Sequence, residues 1–119
     1  GGEIFIPKCP SYRITDVAIA IAPNLLQNEV GVRPSEKLHE QMITKDDAIN
    51  TIDLGNSYAI LPAIAFTDNR NKETYLAHYN AELVSEDFVY GSDTNTEWET
   101  VESLRDKIRK YVSSSFKVK

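Results

Sequence analysis

The 119-residue sequence predicts a single small α+β domain, built of short strands with two to three helices. Two stretches, Ile14–Ile21 and Val101–Val112, repeat apolar residues at helical spacing. Two β-prone runs, Thr51–Leu54 and Tyr58–Leu61, flank Gly55-Asn56 as a hairpin requires. The length suits one domain with a limited core, and no linker, repeat or low-complexity segment divides it.

Each element follows from local chemistry. Glu3–Ile6 reads as a short strand stopped by Pro7. Thr15 is the expected N-cap of a first helix, with Asp16 in its first turn and Ile14, Val17 and Ile21 on one face. Pro23 stops that helix. Glu29–Val32 reads as a second strand. A second helix is expected near Ser35, stacking Leu38 on Met42 at i, i+4. Thr44-Lys45-Asp46-Asp47 resembles a capping box for one further turn.

After the hairpin, Asp68–Lys72 reads as a polar turn and Thr74–Tyr79 as a strand, from its β-prone residues. Ser85–Thr100 is acidic and poor in aliphatics, and predicts a loop ordered by its contacts. Thr100 should cap a terminal helix whose stripe is Val101, Leu104, Ile108 and Tyr111 or Val112.

Bulk properties narrow the partners. Net charge is -5, which argues against nonspecific nucleic-acid binding. Residues 46–102 hold twelve acids and two bases; residues 103–119 hold one acid and six bases. Two readings stand for that basic end: cations complementing a helix C-terminus, or a polybasic partner site. No apolar run is long enough to span a bilayer, so no membrane partner is expected. Cys9 is the only cysteine, which excludes an intrachain disulfide. It stands far from His39 and His78 in sequence, so no metal is expected and a half-buried thiol is the default. The whole fits a reducing, cytoplasmic setting.

The richest chemistry lies in Gly31-Val32-Arg33-Pro34-Ser35-Glu36-Lys37-Leu38-His39-Glu40. A turn here carries a guanidinium and a carboxylate three residues apart. That combination suits a nucleoside diphosphate: a rigid fork of donors for phosphate, and an acceptor for vicinal ribose hydroxyls. It equally suits a surface arginine paired with Glu29 or Glu36, and an acid in a helix's first turn.

The same stretch resembles the G-x-R-P-G-E-K-L-H-E motif of inverting UDP-N-acetylglucosamine 4,6-dehydratases and their capsule-biosynthesis relatives, within the extended short-chain dehydrogenase/reductases. Two further stretches are similar to that family. Gly2–Lys8 continues through Pro10-Ser11 into Ile14–Ala18, and Tyr90–Trp98 matches a closing Y-x-S-x-x-N-x-x-W. The match covers nearly the whole chain, least clearly between Asn56 and Asp87. It implies the C-terminal, UDP-sugar-binding part of such an enzyme, residues 1–119, with the Rossmann part absent. The sequence has no Gly-x-Gly-x-x-Gly, and none of its six tyrosines has a lysine four residues on. An excised piece of a longer protein is therefore expected.

The resemblance implies that Arg33 contacts the UDP diphosphate and that Glu36 holds a ribose hydroxyl. Lys8 or Arg13 is placed near the nucleotide as a further phosphate contact, against the alternative of solvated surface. Ser35 stands where the family usually has glycine: it is a strained residue if φ is positive, and a good N-cap if it opens a helix. His39 reads as packing or capping more than as a general base, and no motif surrounds His78. Trp98 reads as an anchor, onto the rest of an enzyme or onto its own domain's core.

In the family, NADP carries the hydride for oxidation at C4, loss of water across C5–C6 and hydride return at C6, with inversion at C5. NADP and the acid–base groups belong to the missing part, so this chain should bind no cofactor, hold no catalytic residue and be inactive alone. Expected partners are the UDP-sugar, the missing Rossmann domain and a homo-oligomer. The setting would be bacterial surface polysaccharide or flagellar glycan synthesis. A UDP-sugar epimerase or retaining dehydratase keeps the same fold, and a stand-alone non-catalytic module is the rival of another class.

Overall fold

The computed structural model describes residues 2–62 and 69–119 and is α+β, with antiparallel sheets. It divides into two compact units: residues 1–9 with 39–94, and residues 10–38 with 95–119.

The first unit is built on a four-stranded sheet. Strands β1 (Ile4–Pro7), β3 (Thr51–Asp53), β4 (Ser57–Ile60) and β5 (Glu82–Leu83) lie in the order β1-β4-β3-β5, every pair antiparallel. A second ladder pairs β2 (Gln41–Ile43) with β6 (Tyr90–Gly91). The expected hairpin is present, with Gly55 at φ +88° as the first residue of a two-residue turn between β3 and β4. Alternation along β4 splits the core. Tyr58 and Ile60 pack with Ile6, Ile43, Phe88 and Tyr90. Ala59 and Leu61 pack with Ile52, Tyr75, Leu76 and Tyr79.

Helix α2 (Lys45–Ala48) has the expected capping box. The Thr44 hydroxyl accepts from the Asp47 amide, and the Asp47 carboxylate accepts from the Thr44 amide. Helix α3 (Asn69–Tyr79) replaces the expected strand Thr74–Tyr79 and the turn before it. Asp68 of that turn lies outside the described residues. Tyr75, Leu76 and Tyr79 share one helical face and bury against Ile52 and Leu61, so tertiary packing overrides their β propensity.

The second unit holds α1 (Ile14–Ile21), α4 (Val101–Lys107) and a π-helical turn, Ile108–Val112. Thr100 caps α4 as expected, in a box with Ser103. The stripe of α4 and the π turn is half-buried at Val101, Leu104 and Ile108, while Tyr111 and Val112 are exposed. Helix α1 starts two residues earlier than expected, with Arg13 rather than Thr15 as N-cap, and Pro23 follows its end. Its inner face is Val17 and Ala20, while Ile14 and Ile21 of the expected stripe are exposed. Arg105 explains this: its Nε donates to the Ala20 carbonyl at 3.1 Å, bringing α4 onto that side of α1.

Among the described residues, two expected elements are absent. Glu29–Val32 has no strand partner, and no helix begins at Ser35. Leu38 is 80% exposed, while Met42 sits in β2, whose Ile43 is fully buried against Tyr90. The i, i+4 spacing was real but belonged to a turn followed by a strand. Ser85–Thr100 is a loop apart from β6. Cys9 is exposed rather than half-buried. Its backbone makes the contact: the Tyr90 hydroxyl accepts from Cys9 N at 2.8 Å and donates to Cys9 O at 2.9 Å.

Candidate functional site

Arg33 and Glu36 are the two ends of one β-turn in the second unit. Pro34 occupies the position where a fixed φ near −65° helps, and Ser35 follows at φ +73°. The Glu36 amide donates to the Arg33 carbonyl at 3.1 Å and closes the turn. This is a type II turn, whose third position demands positive φ and favours glycine. The N-cap reading of Ser35 is thereby corrected, and the family's usual glycine is explained: a residue with a Cβ is strained here by about 1 kcal/mol. The Pro34-Ser35 pair was a turn signal in the sequence, outweighed there by the apolar spacing beyond it.

The side chains of the turn are unevenly occupied. One oxygen of Glu36 accepts from the Arg33 backbone amide at 2.9 Å, which fixes the carboxylate over its own turn. Its other oxygen stands 3.9 Å from Arg33 Nε. Of the two carboxylates that the sequence offers Arg33, Glu36 is the one it meets. The pair is weak, because the Arg33 side chain is 86% exposed and water screens it. The turn therefore presents a mobile guanidinium beside a carboxylate held by backbone, with lone pairs left to accept from a hydroxyl.

Lys8 belongs to the first unit and is committed there. Its Nζ donates to both Asp53 oxygens, at 2.8 and 2.9 Å, and lies 4.5 Å from the Tyr58 ring centroid. The hydrogen bond to Asp53 raises the Lys8 pKa against the opposing effect of burial. For Asp53 burial pushes upward, but the bonds from Lys8 and the Gly55 amide outweigh it and the carboxyl sits below its usual value. Sequence reasoning missed Asp53, although an aspartate two residues before a turn glycine often accepts from that amide.

The remaining candidates have structural contacts. Arg13 lays its guanidinium 5.1 Å from the Trp98 ring centroid. Trp98 donates from Nε1 to the Asn95 carbonyl at 2.9 Å, and Asn95 Nδ2 donates to Ser11 Oγ at 3.1 Å. The closing motif thus tethers its loop to the segment before α1, while the Trp98 ring stays 39% exposed and is not part of a buried core. His39 Nδ1 lies 3.2 Å from Ser92 Oγ, which also accepts from the Glu40 amide, joining the two strands at one end of the β2–β6 ladder. His78 stacks edge-on against Tyr79.

Among the described residues, no cluster of three or more His, Cys, Asp or Glu side chains could hold a metal ion. No described helix is long and apolar enough to cross a membrane. Helices α1, α2 and α4 start at Arg13, Thr44 and Thr100, none on a glycine turn that would admit a pyrophosphate.

The family model described as polysaccharide biosynthesis protein matches residues 1–62. Two relatives from Campylobacter jejuni strains, both named UDP-N-acetylglucosamine 4,6-dehydratase (inverting), are 46% and 44% identical over 109 residues. Those alignments cover 91% of this chain, and the chain spans about a third (33%) of each relative's length. Among solved structures, Pen from Bacillus thuringiensis shares the fold, with a TM-score of 0.67 at 23% identity over 92% of this chain and 32% of that one. The chain belongs to the polysaccharide biosynthesis protein family, and over most of its length it is similar to inverting UDP-N-acetylglucosamine 4,6-dehydratases.

Proposed function

We propose that this chain is the UDP-sugar-binding portion of an NADP-dependent UDP-N-acetylglucosamine 4,6-dehydratase, acting in the cytoplasm in the synthesis of bacterial surface polysaccharide or flagellar glycans. The observation that carries this reading is the Arg33–Glu36 turn. Its backbone is fixed by Pro34 and by the closing hydrogen bond, while its guanidinium remains 86% exposed. A permanent cation on a rigid turn binds a diphosphate with little ordering cost. Glu36, already oriented by the Arg33 amide, accepts from a ribose hydroxyl. Lys8 is a secondary phosphate contact at most, because reaching an anion means leaving Asp53.

In this reading the chain supplies grip on the nucleotide handle. That remote binding energy orients the sugar at a reaction centre carried by the rest of the protein. NADP and the acid–base groups lie in that other part. The isolated chain then turns over no UDP-N-acetylglucosamine.

The test is Arg33→Ala in the whole protein, read by steady-state kinetics. Losing a charge-assisted contact to phosphate costs about 2 kcal/mol, roughly thirty-fold in affinity. The expected signature is a KM raised by that factor with kcat largely kept. An unchanged KM, or a loss confined to kcat, overturns the assignment.

A further inference from the structure

The C-terminal segment carries charges that the Arg33–Glu36 turn does not use. The structure sorts the bases of residues 103–119 into two groups. Arg105 is taken by Glu102 and by the carbonyls ending α1, Lys107 by Glu99, and Arg109 by Asp106. Lys110, Lys117 and Lys119 have no carboxylate partner among the described residues. A helix dipole accounts for Arg109 and Lys110 in the π turn, but not for Lys117 and Lys119, which lie beyond its end.

The segment is also held in place. Ser113 N donates to the Ile108 carbonyl and Phe116 N to the Ser113 carbonyl, at 2.9 and 3.1 Å. Lys119 N donates to the Ile21 carbonyl of α1 at 2.9 Å. Among these cations, Tyr111 and Val112 stand 70% and 79% exposed. The Lys110 ammonium lies 4.9 Å from the Tyr111 ring centroid, so cation and ring project together.

We propose that residues 108–119 form a docking surface for the anionic headgroups of a lipid bilayer. Unpaired lysines suit lipid phosphates, whose surface potential attracts several cations at once. The bare Tyr111 and Val112 distinguish this partner from a purely acidic one: an aromatic with a polar tip and a small aliphatic insert at headgroup depth. Surface docking needs no spanning segment.

The test is cosedimentation of the chain with vesicles of equimolar phosphatidylcholine and phosphatidylglycerol, and with vesicles of phosphatidylcholine alone. Binding is expected to the first and not to the second. It should weaken at least tenfold between about 50 and about 300 mM salt. Lys110→Glu, Lys117→Glu and Lys119→Glu together should weaken it on the order of a hundredfold, with the circular dichroism spectrum unchanged. Tyr111→Ser should remove the part of binding that survives high salt. Should the triple variant not fold, the salt series on the unaltered chain decides. The proposal is overturned by equal binding to both vesicle types, by no binding to the anionic ones, or by salt-insensitive binding. Equal affinity for duplex DNA overturns it too. So does self-association that depends on these lysines without vesicle binding, which would give the surface to a second copy.

Discussion

Replacing Tyr90 by phenylalanine removes one oxygen atom and leaves the core intact. The ring is 8% exposed, packs in the cluster with Ile6 and Ile43, and lies 5.2 Å from the Tyr58 ring. All of that survives the change. What is lost is a pair of hydrogen bonds on Cys9, accepted from its amide at 2.8 Å and donated to its carbonyl at 2.9 Å. Each is worth about 1 kcal/mol net. Cys9 is exposed but both bonds are part-buried, so water takes over the freed backbone groups in part. The expected destabilisation is therefore about 1–2 kcal/mol. In urea that moves the midpoint down by about 0.5–1 M with an unchanged slope. A second signature lies in pH. Burial, the largest cause, raises the Tyr90 pKa, aided by the Cys9 thiol and opposed by the Cys9 amide. The folded value exceeds the unfolded one near 10, so this contribution is complete below about 10 and lost as pH rises through the folded value. Tyr90→Phe should lack that part of the alkaline loss, while Tyr79, raised by burial and by Glu3, retains its own. An unmoved urea midpoint, or an alkaline limb identical to that of the unaltered chain, refutes the latch.

Ser35→Gly should stabilise the chain by about 0.5–1 kcal/mol, because relief at φ +73° exceeds the entropy glycine gains when unfolded, and Ser35→Val should destabilise it; equal urea midpoints for all three exclude strain in the turn. Asp53 sits below its usual carboxylate value, so its contribution is present above about pH 4 and lost as pH falls through the folded value. Lys8→Met should lower thermal stability at pH 7 more than at pH 3, and an equal deficit at both refutes the pairing. Thr44→Ala should cost about 1 kcal/mol by opening the capping box, read as a lower melting temperature.

What the sequence determined by itself was local. The Gly55-Asn56 hairpin, both threonine caps and the stop after α1 each depend on residues within four positions of one another. That Arg33 and Glu36 share one turn was legible for the same reason, since three positions separate them. Tertiary structure decided the elements whose partners are distant. Gln41–Ile43 is a strand because Tyr90–Gly91 pairs with it nearly fifty residues away, which no periodicity around Met42 encodes. Thr74–Tyr79 is helical because Tyr75, Leu76 and Tyr79 must meet Ile52 and Leu61 on one face. The commitment of Lys8 to Asp53, forty-five positions apart, was hidden in the same way. A sequence displays its contacts at short separation, whereas burial and ladder pairing join residues that only the folded chain brings within reach.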